Sequence, residues 1–246
     1  MRRWLVVVLC VCACKGASQG LVVFNNRVGE QIVAPIYDVD PYNPAFSQYG
    51  TGLIYNGGPL AGTAFTAQLF GGPTNLPLER LTTLEPSTFF RTNDAAGFVV
   101  APNRAVAVPG VPEGERAKVQ LRAWNNRGGT VTNWNQVLTD PTIGRGASLP
   151  IITPPLGSLF IVPPNLIGLQ SFNLVLPIKL SSLKRGSDGR FRFNYINPTS
   201  RTYCVEASSD LSQWTPAGNI GTGNGTYTDP ASANQSHRFY RVVPCP

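Results

Sequence analysis

Proline and glycine punctuate this chain so evenly that a long helix has nowhere to form. Beyond the N-terminus, no window of roughly 11 to 18 residues keeps a 3.6-residue apolar period without one of them interrupting it. The 25 glycines and 22 prolines are spread along the sequence rather than collected in one tail. Between them lie short runs of aromatic and β-branched residues bounded by Gly, Asn, Pro and Ser, the pattern of strands joined by turns. An all-β fold is expected.

The runs fall into two groups. Leu21 to Val28, Gln31 to Tyr37, Thr63 to Phe70, Phe89 to Thr92, Gly97 to Ala101, Ala105 to Val108 and Glu115 to Trp124 form the first. Thr63 to Phe70 is expected to stop at Gly71-Gly72-Pro73. Glu115 to Trp124 alternates most cleanly, with Ala117, Val119, Leu121 and Ala123 on one face and Lys118, Gln120 and Arg122 on the other. Five prolines between residues 150 and 164 then suggest a stiff, extended connection. Leu166 to Leu180 reads either as the first strand of a second module or as a strand docked back on the first. Phe191 to Ile196, Tyr203 to Ser208, Trp214 to Ile220, Gly225 to Thr228 and His237 to Val243 follow. The expected architecture is two antiparallel β-sandwiches: an N-terminal one over 21–162, jelly-roll or immunoglobulin-like, and a C-terminal one over 187–246. Residues 163–186 join them as a Pro-rich linker with the first strand of the second module.

Residues 1–20 read as a signal peptide. Arg2 and Arg3 precede the apolar run Trp4 to Ala13, and Gly16-Ala17-Ser18 supplies small residues for cleavage. The run is too short to anchor a mature chain across a bilayer. Cleavage after Gly16, Ser18 or Gly20 competes with lipoprotein processing, in which Val11-Cys12-Ala13-Cys14 acts as a loose lipobox and Cys14 is lipidated. The expected address is therefore the cell envelope or the medium. Without Arg2, Arg3 and Lys15 the formal charge falls from +7 to +4, too little over a chain of this length for a nucleic-acid footprint. Cys204 and Cys245 are the cysteines left beyond the leader, and an oxidising compartment invites them to pair. Antiparallel neighbours joined 204 to 245 would also pair 206 with 243 and 208 with 241. A bridge closing about forty residues contributes about 4 kcal/mol in the chain-entropy model.

Catalysis finds few materials. His237 is the one histidine, and there is no Gly-x-Ser-x-Gly elbow to serve it. The thirteen acids are mostly isolated in loops, so no pair can be nominated for glycoside hydrolysis. The chain is read as no enzyme. Zinc finds no Cys-x-x-Cys or His pair. Calcium has one weak candidate, the oxygen-bearing loop residues Asp38, Asp40 and Asn43, which Asx turns explain equally well. Trp134, Tyr42, Tyr49 and Tyr55 lie in loop-like sequence and are candidates for stacking on sugar rings.

Two longer patterns carry a resemblance. Phe191-Arg192-Phe193, Tyr203-x-Val205-x-Ala207-Ser208-Ser209-Asp210-Leu211-x-x-Trp214, Tyr227-x-Asp229 and Arg238-Phe239-Tyr240-Arg241 resemble a C-terminal fibronectin type III-like module of large exported bacterial proteins. Val23-Phe24-Asn25-Asn26-Arg27, Pro35-Ile36-Tyr37, Thr66-Ala67-Gln68-Leu69-Phe70-Gly71-Gly72 and Val119-Gln120-Leu121-Arg122-Ala123-Trp124 are similar to β-rich proteins associated with PEP-CTERM sorting tails. The sequence ends at Pro246 without such a tail, so that sorting route is not expected. The resemblances imply a non-catalytic structural, adhesive or surface-matrix protein; the alternative is an extracellular carbohydrate-binding protein using the loop aromatics. A hydrolase comes third. Extracellular polysaccharide and cell-surface proteins are the expected partners.

Overall fold

A computed structural model describes residues 19–245. Residues 1–18 of the expected leader, its cleavage positions up to Ser18 and the lipidation candidate Cys14 lie outside them. In chain order the strands are β1 (Gln19–Val22), β2 (Arg27–Val28), β3 (Ile32–Val33), β4 (Ile36–Tyr37), β5 (Phe65–Pro73), β6 (Thr82–Thr88), β7 (Val106–Pro112), β8 (Ala117–Asn125), β9 (Arg145–Ala147), β10 (Ile151–Ile152) and β11 (Phe172–Asn173). Then come β12 (Lys179–Arg185), β13 (Phe191–Asn197), β14 (Tyr203–Ser208), β15 (Thr215–Ile220), β16 (Gly223–Thr228) and β17 (Phe239–Pro244). One short α-helix among the described residues, α1 (Trp134–Thr139), interrupts the series. The fold is all-β and sandwich-like, with antiparallel pairing except between β4 and β11.

The larger core forms around the sheet β10-β8-β5-β6, with β9 on the same edge of β8 as β10. Ala117, Val119, Leu121 and Ala123 of β8 face Leu69 of β5, Leu84 of β6, and Val106 and Val108 of β7 within one buried cluster. The expected apolar face of β8 is thus the inner face. Its polar face is not solvent-facing, however: Gln120 and Arg122 are buried as well. β5 runs through Gly71-Gly72-Pro73 instead of stopping there. Gly71 sits where a Cβ would lie 3.1–3.3 Å from Leu84, Val119 and Val108, so a glycine lets the layers approach. The first two expected strands break into β1 to β4, because Asn26 turns inward to serve the backbone of other segments.

The Pro-rich stretch is built into this core. β10 pairs with β8, Leu156 is buried, and Leu166, Leu169, Phe172 and Leu174 all join the larger cluster. Residues 166 to 174 therefore dock back on the first layer, and β12 is the first strand of the second group. That second group is two three-stranded sheets, β12-β13-β16 and β15-β14-β17, around Phe193, Tyr203, Val205, Ile220 and Tyr227.

Cys204 and Cys245 form a disulfide with Cα atoms 5.0 Å apart. The register differs from the expected one by two residues: Cys204 pairs with Val243, Glu206 with Arg241 and Ser208 with Phe239. A shift of two preserves the facing of every side chain. It also sets Glu206 against Arg241, joined at 2.7 Å, and leaves the cystine as a diagonal link at the end of the ladder.

Candidate functional site

Two recesses combine aromatic side chains with ordered polar groups. The first lies over the outer face of β8 and β5. Asn133 caps α1 by accepting the Gln136 amide, while the Gln136 side chain accepts the Asn133 amide, a complete capping box. The helix sets Trp134 edge-on to Trp124, ring centres 5.8 Å apart, and to Phe70 at 6.2 Å. Arg122 enters between these rings, its guanidinium carbon 4.0 Å from the Phe70 centre and 5.2 Å from that of Trp134. Its Nε donates to Gln120 Oε1 at 2.9 Å and its Nη2 to the Leu78 carbonyl at 3.0 Å. Burial pushes the guanidinium down to about 10, and Glu79 partly offsets this. Phe70, Arg122 and Trp134, with Glu79, Asn135 and Leu138, line an open recess of about 330 Å³.

The second recess opens between the two C-terminal sheets, where β12 faces β17. It holds about 420 Å³ and is lined by Leu180, Leu183, Phe193, Leu211, Trp214 and Phe239, among others. Leu180 and Leu183 are three residues apart and would point to opposite faces of a regular strand. A one-residue bulge between Ser181 and Lys184, with Ser182 at φ 54°, turns both toward the groove. The opposite rim is a tight turn. Asp210 accepts the amides of Ser212 and Gln213 at 2.9 Å and the Ser208 hydroxyl, and these bonds hold its carboxyl well below the usual carboxylate range. Leu211 sits there at φ 64°, and its carbonyl accepts the Trp214 indole N–H. Arg241 lies 4.4 Å over the Trp214 ring while paired to Glu206. Beneath the groove, Arg238 meets the fully buried Asp229 at 2.8 Å, and the Tyr240 hydroxyl donates to the same carboxylate.

No family model matches this sequence, and searches of curated proteins and of solved structures found no match.

The expected site residues do not gather in one place. Trp134 opens a helix rather than riding a loop, and it is partly buried against Trp124, Phe70 and Arg122. The Asn133…Gln136 spacing carried the signal for that helix. Tyr55 is a staple: it stacks on Tyr37 with ring centres 4.2 Å apart, and its hydroxyl donates to the carbonyls of Gly50 and Ser171. Tyr42 is exposed and Tyr49 partly so, the latter bridging to Phe172. Asp38 accepts the Val39 amide, and Asp40 accepts the Tyr42 amide and the Asn56 side chain. Burial raises the Asp38 carboxyl, opposed by that amide bond. Asn43 instead lines a recess with Arg201 and Tyr203. Among the described residues, no three His, Cys, Asp or Glu side chains cluster as metal ligands. His237 precedes β17 rather than lying in a strand. It is exposed, with its ring nitrogens against the Ser236 hydroxyl and the Ser209 carbonyl.

Proposed function

We propose that this chain is a non-catalytic, exported adhesive or surface-matrix protein of a bacterium, ending in a fibronectin type III-like module. The observation that carries the reading is the groove between β12 and β17. Leu180, Leu183, Leu211 and Phe239 remain at least 38% exposed there, a contiguous apolar surface of the kind that marks contact sites. The bulge and the Asp210 turn hold the two rims in place, so the surface is preorganised for binding. Export accords with the leader and with the Cys204–Cys245 bridge. β1 supports cleavage at or before Ser18, because Gln19 pairs with Pro112 and a cut after Gly20 would remove half the strand.

Fractionating the native host tests the proposal. The protein should be recovered with envelope or extracellular matrix, with a mature N-terminus no later than Gln19. A Leu183→Glu variant should be shed into the medium. Recovery of the wild type in the cytoplasm would overturn the reading.

A second reading, saccharide binding, is favoured by the recess under Trp134, where an aromatic edge, Glu79, Asn135 and Arg122 converge on open space. Retardation by polysaccharide-containing gels that Trp134→Ala abolishes would establish it. A wild type that runs unretarded through all of them would remove it.

A further inference from the structure

Four strongly exposed apolar side chains stand side by side in the Pro-rich stretch between residues 150 and 164. Leu159, Phe160, Ile161 and Val162 are 87, 97, 56 and 87% exposed. They do not hang on a slack loop. The Ser158 amide donates to the Ile161 carbonyl at 2.8 Å, and the Ser158 hydroxyl accepts the amides of Phe160 and Ile161 at 3.2 Å. Gly157 exchanges two backbone hydrogen bonds with Leu21. Leu156 and Leu166, on either side, are buried in the first core. The result is a fixed apolar knob, whose docking would cost little conformational entropy.

We infer that this knob seats in the β12–β17 groove of a second copy, so that the protein assembles head to tail. The inference rests on the proposed adhesive role and names its partner. Both surfaces are apolar, both are pinned by local hydrogen bonds, and they belong to different cores. The knob's neighbours are Leu21, Val23, Glu85 and Arg104, none of which lines the groove.

Charge is arranged to match. Residues 19–175 carry nine acidic and nine basic side chains, whereas 176–246 carry eight basic and four acidic. At the knob, Glu85 shares the recess beside Leu159, and Glu113 and Glu115 flank the turn that hydrogen-bonds Leu156; Arg104 and Arg116, the latter donating to the Thr153 carbonyl, offset two of these three charges. At the groove, Lys179, Lys184 and Arg185 ride on β12, every residue of which is exposed, against the single carboxylate of Asp210 in the turn on the opposite rim. Because the two patches differ, contact is heterologous and builds chains rather than closed dimers. A contact of a few side chains falls below the usual size of a stable interface. Each joint is accordingly weak, and retention comes from many joints together.

The test uses the full mature protein in sedimentation velocity from micromolar to near-millimolar concentration. A knob variant (Leu159→Ser with Phe160→Ser) and a groove variant (Leu183→Glu) alter exposed positions, and circular dichroism should show both folded. The wild type should grow in mean mass with concentration. Each variant alone should stay monomeric, its association weakened about tenfold or more. Mixed in equal amounts, they should form a heterodimer that grows no further, since one supplies the groove and the other the knob. A wild type monomeric throughout, a knob variant that associates undiminished, or a mixture that stays monomeric would each overturn the inference. So would knob-dependent pelleting with phosphatidylglycerol vesicles in the absence of self-association, which would assign the knob to lipid. A monomeric wild type that still fractionates with the matrix would sink head-to-tail assembly and leave the adhesive reading standing.

Discussion

Asn26 offers the sharpest test of how the larger core is held together. It is fully buried, and its side chain joins three segments: Nδ2 donates to the Ala34 carbonyl at 2.8 Å and to the Gly97 carbonyl at 3.0 Å, while Oδ1 accepts the Val99 amide at 2.8 Å. Gly97 O also accepts the Ile36 amide and would survive truncation with a partner. Ala34 O and Val99 N would not. Asn26→Ala therefore strands two buried backbone groups at about 1–3 kcal/mol each and leaves a small void, for a total of about 4 kcal/mol. That is a large share of the roughly 5–15 kcal/mol that holds an ordinary domain. In urea it corresponds to a midpoint lowered by about 1.5–2 M.

Asn26→Asp separates hydrogen bonding from size. An ionised carboxylate offers no donor to either carbonyl and places charge in the core, so at neutral pH this variant should be less stable than Asn26→Ala. Its folded pKa would be raised above the ordinary carboxyl value of about 3.9. Above that value the unfolded state loses its proton first, so stability falls as pH rises from about 4 through the folded pKa. The gap between the two variants should narrow on acidification. A loss under about 1 kcal/mol for Asn26→Ala, or a gap indifferent to pH, would refute the argument.

Other outcomes follow from single features. Reducing the Cys204–Cys245 bridge, which spans 41 residues, should cost the C-terminal sandwich about 4 kcal/mol; an unchanged denaturation midpoint after verified reduction would contradict this. Gly146→Ala would put a Cβ 2.6 Å from the Asn173 carbonyl and 3.0 Å from the Phe172 ring, a loss of about 1–3 kcal/mol. Gly58→Ala, with open space around it, should stay within about 0.5 kcal/mol of wild type. In a phenolate absorbance titration, Tyr55 and Tyr227, both pushed up to about 12 mainly by burial, should ionise late, and Tyr240 later still. The unfolded chain releases these protons near 10, so their contribution is complete below about pH 10 and is lost as pH rises through the folded values. A titration showing every tyrosine ionising together near 10 would contradict the burial argument.

What the sequence made legible was whatever period and parity encode. The alternation of Ala117 to Ala123 named the inner face of β8, and the pairing of the two late cysteines survived a register error because a slip of two changes no facing. Features that depend on what covers a surface were hidden. Lys118, Gln120 and Arg122 alternate as a solvent face should, yet α1 and the Leu78 turn roof the last two over, and six helical residues are too few to show a period. Asn25 and Asn26 look alike in sequence: Asn25 accepts the Arg27 amide two residues on, while Asn26 reaches segments more than seventy residues away.

The groove was illegible for a related reason. Its apolar wall depends on one extra residue in β12, and nothing in Leu180-Ser181-Ser182-Leu183 says that Ser182 will turn left-handed. Without the bulge, one leucine would face the groove and the other would point away; with it, both serve one surface. The knob misled in the opposite direction, since prolines that suggest a linker there instead frame a rigid turn between two buried leucines. Both surfaces arise where a local exception breaks the period that built the rest of the fold. If the groove is a recognition surface, straightening β12 at unchanged length should therefore damage recognition before it damages folding: Ser182→Val disfavours the left-handed conformation the bulge requires, so a regular strand would turn Leu183 away and abolish association while leaving the Phe193–Tyr227 core intact. Undiminished association in a folded Ser182→Val variant would show that the bulge has no part in recognition.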